Sequence, residues 1–189
     1  MTYFLLLFLT TISFGFGTQL PDQTTFYLEA QEIVYDQKKT TINAVGNVHI
    51  RQYVTKEQGW RHIYADHLIY KKSAQEKGEI YAVGKVWLYE PNGDVWQTDS
   101  LKFTDLFEEG STTNIKLQTH DQSNLSALKS DRSGHETHFE NVSYSPCKVC
   151  ISNHCQPEHT KIPLWQLKAS QVIHDQESQT ITYRHARLE

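Results

Sequence analysis

Ala44-Val45-Gly46-Asn47-Val48-His49-Ile50 and Ala82-Val83-Gly84-Lys85-Val86-Trp87-Leu88 are two copies of one pattern. In the first, Ile42, Ala44, Gly46, Val48 and Ile50 alternate with Asn43, Val45, Asn47 and His49. In the second, Ile80, Ala82, Gly84, Val86 and Leu88 alternate with Tyr81, Val83, Lys85 and Trp87. A period of two is the period of a β-strand, whose successive side chains point to opposite faces, so each copy lays one face on a core. Turn residues punctuate the chain at Tyr35-Asp36-Gln37-Lys38, Pro91-Asn92-Gly93-Asp94, Glu109-Gly110-Ser111 and Asp131-Arg132-Ser133-Gly134. No segment carries a helical stripe longer than two turns, and a short helical turn is expected only near Asp105 to Glu109. The expected fold is all-β.

A second element alternates with the first. Ala30-Gln31-Glu32-Ile33-Val34-Tyr35 returns as Ala65-Asp66-His67-Leu68-Ile69-Tyr70, as Thr98-Asp99-Ser100-Leu101-Lys102-Phe103 and as Ala169-Ser170-Gln171-Val172-Ile173-His174. Its form is small, polar, any, aliphatic, any, aromatic. The first three units begin 35 and 33 residues apart, with a longer gap before the last. Each unit reads as a strand, a corner and a return strand. Two strands cannot bury an apolar face alone, so successive units must lie against one another and extend one interior. The inward set is Ile33, Tyr35, Ile42, Val48, Ile50, Leu68, Tyr70, Ile80, Val86, Leu88, Leu101, Phe103, Ile115 and Leu117. The plainer reading of that set is a filled core. The recurring inward tyrosine points instead to a surface that is apolar at one end and wet at the other.

The chain has 189 residues, 38% of them hydrophobic and 21% charged, which suits one folded domain rather than a disordered segment. A net charge of −4 excludes the basic excess a nucleic-acid binder needs, so no nucleic acid is expected as partner. Tyr3 to Phe16 carry no charge, run densely apolar from Phe4 to Leu9 and end on the small residues Gly15 and Gly17. Residues 1–17 therefore read as a secretory signal peptide, because about fourteen apolar residues fall short of the roughly twenty a membrane-spanning helix needs. Residues 18–189 are then one exported β-domain with a cysteine-containing loop at 145–163.

On the units Ala30 to Tyr35 and Ala44 to Val48, the chain resembles the OstA-like domain of the lipopolysaccharide transport proteins of Gram-negative bacteria. Tyr144-Ser145-Pro146-Cys147-Lys148-Val149-Cys150, then Pro163-Leu164-Trp165, then Val172 to Asp175 and Thr180 to Glu189, is similar to the amino-terminal region of the LptD outer-membrane assembly proteins. The resemblance runs from about Tyr27 to the end. It implies an open β-jelly roll, or β-taco, in the periplasm and associated with the cell outer membrane, with the acyl chains of lipopolysaccharide carried inside its groove. The inward set above would line that groove. The implied partners are lipopolysaccharide, a periplasmic bridge protein of the LptA type joined by edge-strand pairing, and an outer-membrane β-barrel with its lipoprotein plug. LptD continues into that barrel, whereas this chain stops at Glu189, in what the resemblance makes the last strand of the soluble domain. The expectation is thus a fragment, a split form or a truncated form; a stand-alone LptA-like bridge protein and a structural cell-surface β-domain are the alternatives.

Cys147, Cys150 and Cys155 fall within nine residues, and export makes disulfides the default, with one pair and one spare thiol and the pairing open. In LptD proteins such cysteines bridge the soluble domain to the barrel. A metal site with His154 or His159 is the competing reading, but only one Cys-x-x-Cys is present. A redox motif lacks the helix that would lower its thiol pKa. The remaining histidines are scattered, and no nucleophile, base and acid set or Gly-rich phosphate loop stands out. No enzyme activity, metal or cofactor is expected. Asp66 and Asp99, recurring in the repeat, are read as corner hydrogen-bonding residues.

Overall fold

The computed structural model describes residues 26–72, 78–104, 107–146 and 163–189. The expected signal segment and Cys147, Cys150 and Cys155 lie outside the described residues. Twelve strands are described: β1 (Phe26–Glu29), β2 (Glu32–Asp36), β3 (Thr41–Thr55), β4 (Gly59–Lys71), β5 (Glu79–Tyr89), β6 (Val95–Thr104), β7 (Glu109–Gln118), β8 (Asn124–Ser133), β9 (Glu136–Ser145), β10 (Leu167–Asp175), β11 (Thr180–Arg184) and β12 (Arg187–Leu188). They form one antiparallel sheet in which neighbours in sequence are neighbours in space from β3 to β11. β1 and β2 both pair with β3, on its later and earlier halves, and β11 and β12 divide β10 in the same way.

The long strands cross a single corner that folds this sheet on itself. On β3, β5, β7 and β9 the corner holds a residue in the left-handed region, namely Asn47, Lys85, Asn114 and Asn141, with φ between 46° and 53°. His185, at φ 51°, continues the line between β11 and β12. Asparagine tolerates that conformation better than most residues, and at Gly46 and Gly84 (both φ +79°) glycine supplies it directly. On the intervening strands the corner is the repeat unit itself. In Ala65-Asp66-His67-Leu68-Ile69-Tyr70 the buried residues are Ala65, Leu68 and Tyr70, so two residues span the corner and the aliphatic and aromatic positions fall inward on the far side. β3 takes four steps from Ala44 to Val48 where β4 takes three from Leu68 to Ala65, which produces the register shift between them. β7 and β9 cross in three steps, from Thr112 to Ile115 and from Phe139 to Val142, and no shift interrupts their ladders.

Every long strand thus contributes to two walls whose inner faces meet. Phe26 of one wall packs edge-on against Tyr70 of the other at 4.7 Å between ring centroids, and Trp96 stacks on Phe139 at 6.1 Å. The core lies between the walls in two clusters, one around Ile50, Ile63, Leu68, Ile80 and Leu101, the other around Ile115, Phe139, Val142 and Val172. Each such branched side chain contributes about 1.5–3 kcal/mol on burial.

Three expectations need correction. Glu109-Gly110-Ser111 is not a turn but the start of β7, and the helical turn near Asp105 to Glu109 is replaced at Phe107 and Glu108 by a bend. Gly110 serves close packing: a Cβ there would lie 2.3 Å from the Lys102 carbonyl oxygen and 2.5 Å from the Phe103 ring. Likewise Asp131 to Ser133 belong to β8, and the chain turns one residue later, at Gly134 and His135.

Candidate functional site: the cavity between the walls

Between the two core clusters the walls enclose a cavity of about 420 Å³. In the row of inward residues that runs Ala44, Leu68, Ala82 and Leu101 across the earlier strands, β7 and β8 supply Thr112 and Ser130, each 2% exposed and hydrogen-bonded to one another at 2.9 Å. The first cluster is drawn from β3 to β6, and the cavity lies along β5 to β11 beside the second.

The cavity is lined from both walls. Leu88, Trp96, Leu117 and Leu125 come from one, and Leu101, Phe103, Phe139 and Val172 from the other. Thr98, Thr112, Ser130 and Thr137 add buried hydroxyls. An apolar lining with a few polar groups is the usual make-up of a site for an apolar ligand.

Charged groups gather at one end of this lining. Arg61 bonds Glu90 at 2.8 Å, donates to Gln52 Oε1 at 2.9 Å and lies 4.2 Å above the Phe107 ring. With side chains only 11% and 14% exposed, Arg61 and Glu90 are shielded enough for the pair to matter. Arg132 on β8 donates from Nη2 to Gln176 Oε1 at 3.1 Å. Burial pulls the Arg132 guanidinium below its ordinary pKa and the nearby Arg61 adds to this, while Glu90 and Glu108 oppose it. Burial, then Tyr144, raises the Tyr183 hydroxyl, which also lines the cavity.

The fourteen residues read as inward divide into three groups. Leu88, Leu101, Phe103 and Leu117 line the cavity. Ile42, Val48, Ile50, Leu68, Tyr70, Ile80 and Val86 pack in the first cluster, and Ile115 in the second. Ile33 and Tyr35 stand opposite Ala44 and Ile42, hence on the inner face, but are 47% and 57% exposed on β2, which among the described residues pairs with β3 alone.

The sequence reading missed Trp96, Phe139, Val172 and the polar lining. It also missed a unit: Ala127-Leu128-Lys129-Ser130-Asp131-Arg132 occupies the same corner on β8, with Ala127 and Ser130 buried. The long gap before the unit at Ala169 was its signal. Ser130 replaces the aliphatic residue and Arg132 the aromatic one, so a search for those classes passes over it.

Among the described residues no group of three His, Cys, Asp or Glu side chains is placed to hold a metal ion. The candidate cysteine ligands lie outside them.

No family model matches the chain, and no curated protein matches it. One similar solved structure is LptH, described as the LptA-homologous periplasmic component of the lipopolysaccharide transport device of Pseudomonas aeruginosa. It is 10% identical, with 89% of this chain and 98% of that chain covered and a TM-score of 0.37. No residue role is carried across from it.

Proposed function

We propose that this chain is a periplasmic lipopolysaccharide-transport domain, of the kind that precedes the barrel in LptD proteins. It accepts acyl chains between its two walls and passes them toward the outer membrane. The observation that carries the reading is the cavity, lined with apolar side chains from both walls and a few buried hydroxyls, the make-up that suits an acyl chain. The sequence motifs that resemble the OstA-like domain support the same reading. A structural domain with a filled core accounts for the two clusters and not for the cavity between them.

The two edges supply the means of assembly. Ile33, Val34 and Tyr35 at one edge, and Ile181 and Leu188 at the other, are about half exposed or more, and they lie on strands with one neighbour each among the described residues. Such an edge is a template for strand addition. The proposed partner there is a bridge protein of the LptA type, with the barrel and its lipoprotein plug on the delivery side. Having an open edge at each end equally favours a second reading, a stand-alone bridge protein with a neighbour on both sides.

Photo-crosslinking tests the lipid path. A benzophenone amino acid at Leu117 or Phe103, irradiated with purified lipopolysaccharide, is expected to give a lipid adduct, and the same probe at Trp87 on the outer face is expected to give none. Equal labelling at all three positions, or none at Leu117 and Phe103, sinks the proposal.

A further inference from the structure

An exposed aromatic layer lies on the outside of the fold, away from the cavity. On the wall that turns Ile50, Ile63 and Leu88 inward, Tyr27, Arg51, His62 and Tyr89 face out in one row across β1, β3, β4 and β5, and Glu29, His49, Tyr64 and Trp87 in the next. Tyr53 stands opposite Trp60 beside them. The rings pack on one another: His49 stacks on Tyr64 at 4.3 Å, Tyr64 meets Tyr89 edge-on at 5.8 Å, and Trp60 lies 5.3 Å from Tyr53 and 5.7 Å from Tyr27, all between centroids. Tyr27, Trp60, Tyr64 and Tyr89 nevertheless stay between 38% and 46% exposed. Contiguous exposed rings mark a contact surface, and tyrosine, tryptophan and arginine are the residues that dominate binding in protein interfaces. The layer ends at β5, after which the same rows continue through Gln97, Lys116 and Ser126 and through Val95, Gln118 and Asn124.

Charge says what the layer meets. The chain carries −4 overall, yet on this outer face Arg51, Lys116, Lys168 and Arg187 stand against Glu29 and Glu189. On the outer face of the other wall acids predominate among the described residues, with Glu79, Glu109, Asp131, Glu136 and Glu140 facing out. On its β2 to β5 side Val34, Val45 and Tyr81 are between 41% and 49% exposed. Each outer face therefore offers an exposed apolar area bordered by charge opposite to that of the other. Two sheets pack face to face at a spacing of about 10 Å, and complementary charge fixes which faces meet.

We propose that a second copy of this chain docks on the aromatic layer with the outer face of its opposite wall, so that Tyr27, Trp60, Tyr64 and Tyr89 of one copy cover Val34, Val45 and Tyr81 of the next. Arg51 and Lys116 then border the acids of that next copy. The contact is heterologous and leaves one face of each kind free, so copies add head to tail rather than stop at a pair. It uses neither the cavity nor the strand edges, and its failure leaves the lipid path and the edge pairing untouched.

Sedimentation velocity on the full chain, purified after export, tests it in a Tyr35→Lys parent, where edge pairing is disfavoured. Species larger than a dimer are expected to grow with concentration and to recede as salt rises. Trp60→Ser with Tyr64→Ser disables the aromatic face, and Val45→Ser with Tyr81→Ser disables the other; each pair of changes is expected to weaken self-association at least about ten-fold. All four sites are exposed, so the fold should tolerate them; where a pair does not fold, Trp60→Ser or Tyr81→Ser alone replaces it. An equimolar mixture of the two variants is expected to form a dimer and nothing larger, since each keeps the one face that the other lacks. A mixture that stays monomeric, a variant that self-associates alone as strongly as the parent, or a parent that is monomeric at every concentration overturns the proposal. A monomeric parent that instead co-sediments with phosphatidylglycerol vesicles overturns it and gives the aromatic face to a bilayer.

Discussion

Asn114 Nδ2 donates to Asp99 Oδ2 at 2.6 Å, joining β6 to β7 across the line where the sheet folds. The same relationship recurs along that line. Asp66 lies against Gly84, and Ser170 donates to the Arg184 carbonyl beside His185. The polar second position of the repeat is thus spent on holding the neighbouring corner. Asp99→Ala is expected to destabilise the fold by about 1 kcal/mol, the value of one such hydrogen bond, with Asp99→Asn nearer to neutral. Urea midpoints of the two variants check this; a full-sized loss in both would mean that the bond is not the cause.

The corner glycines should differ from the turn glycines. Gly84 and Gly59 both sit at positive φ, +79° and +91°, so alanine strains either backbone by about 1–2 kcal/mol. A Cβ at Gly84 would also meet Asp66 Cβ at 2.9 Å, whereas nothing lies within 4 Å of one at Gly59. Gly84→Ala is therefore expected to melt at a lower temperature than Gly59→Ala, and the reverse order would contradict the corner geometry.

His49 gives the fold a pH dependence on its outer face. Its ring bonds His62 at 3.1 Å, stacks on Tyr64 at 4.3 Å between centroids and faces Arg51 and Glu29. Burial first, then His62, with Arg51 adding a smaller push, hold it below its ordinary pKa of 6.5, against a smaller upward pull from Glu29. The unfolded chain then binds the proton more readily, so this contribution is complete above pH 6.5 and is lost as the pH falls below it. Stability measured by urea at pH 7.5 and 5.5 should drop on acidification, and the drop should be smaller in His49→Gln. Equal drops in the two proteins would remove His49 from the explanation.

At the β2 edge, Tyr35→Lys should leave the melting temperature within a few degrees of native, because a half-exposed side chain there covers little core. It should at the same time weaken capture of an LptA-type partner, as a charge on an edge strand discourages pairing. Pull-down with unchanged recovery would argue that assembly uses another edge.

The fold was legible in the spacing of Ala65, Leu68 and Tyr70. That three-then-two spacing is what a strand crossing one corner produces, and its polar second position marks the corner. The left-handed corners were half legible: Gly46, Gly84, Asn47, Asn114 and Asn141 are the residue types such φ values favour, while Lys85 and His185 carry no such signal. The cavity was hidden for a different reason. A hollow shows in sequence only once the repeat is aligned well enough to see Ser130, a small polar residue, standing where Leu68 and Leu101 stand in other units. Gly110 misled because its use, room for Phe103 and the Lys102 carbonyl, involves residues seven and eight positions away rather than its own turn.

Leucine methyl resonances followed during titration with lipopolysaccharide test the lipid path most directly. Leu88, Leu101, Leu117 and Leu125 line the cavity, Leu68 is buried outside it, and Leu128 is 54% exposed on the outer surface. The account predicts shifts at the first four, with Leu68 and Leu128 unmoved. Shifts confined to Leu128 and other exposed leucines, or no shifts at all, would contradict it.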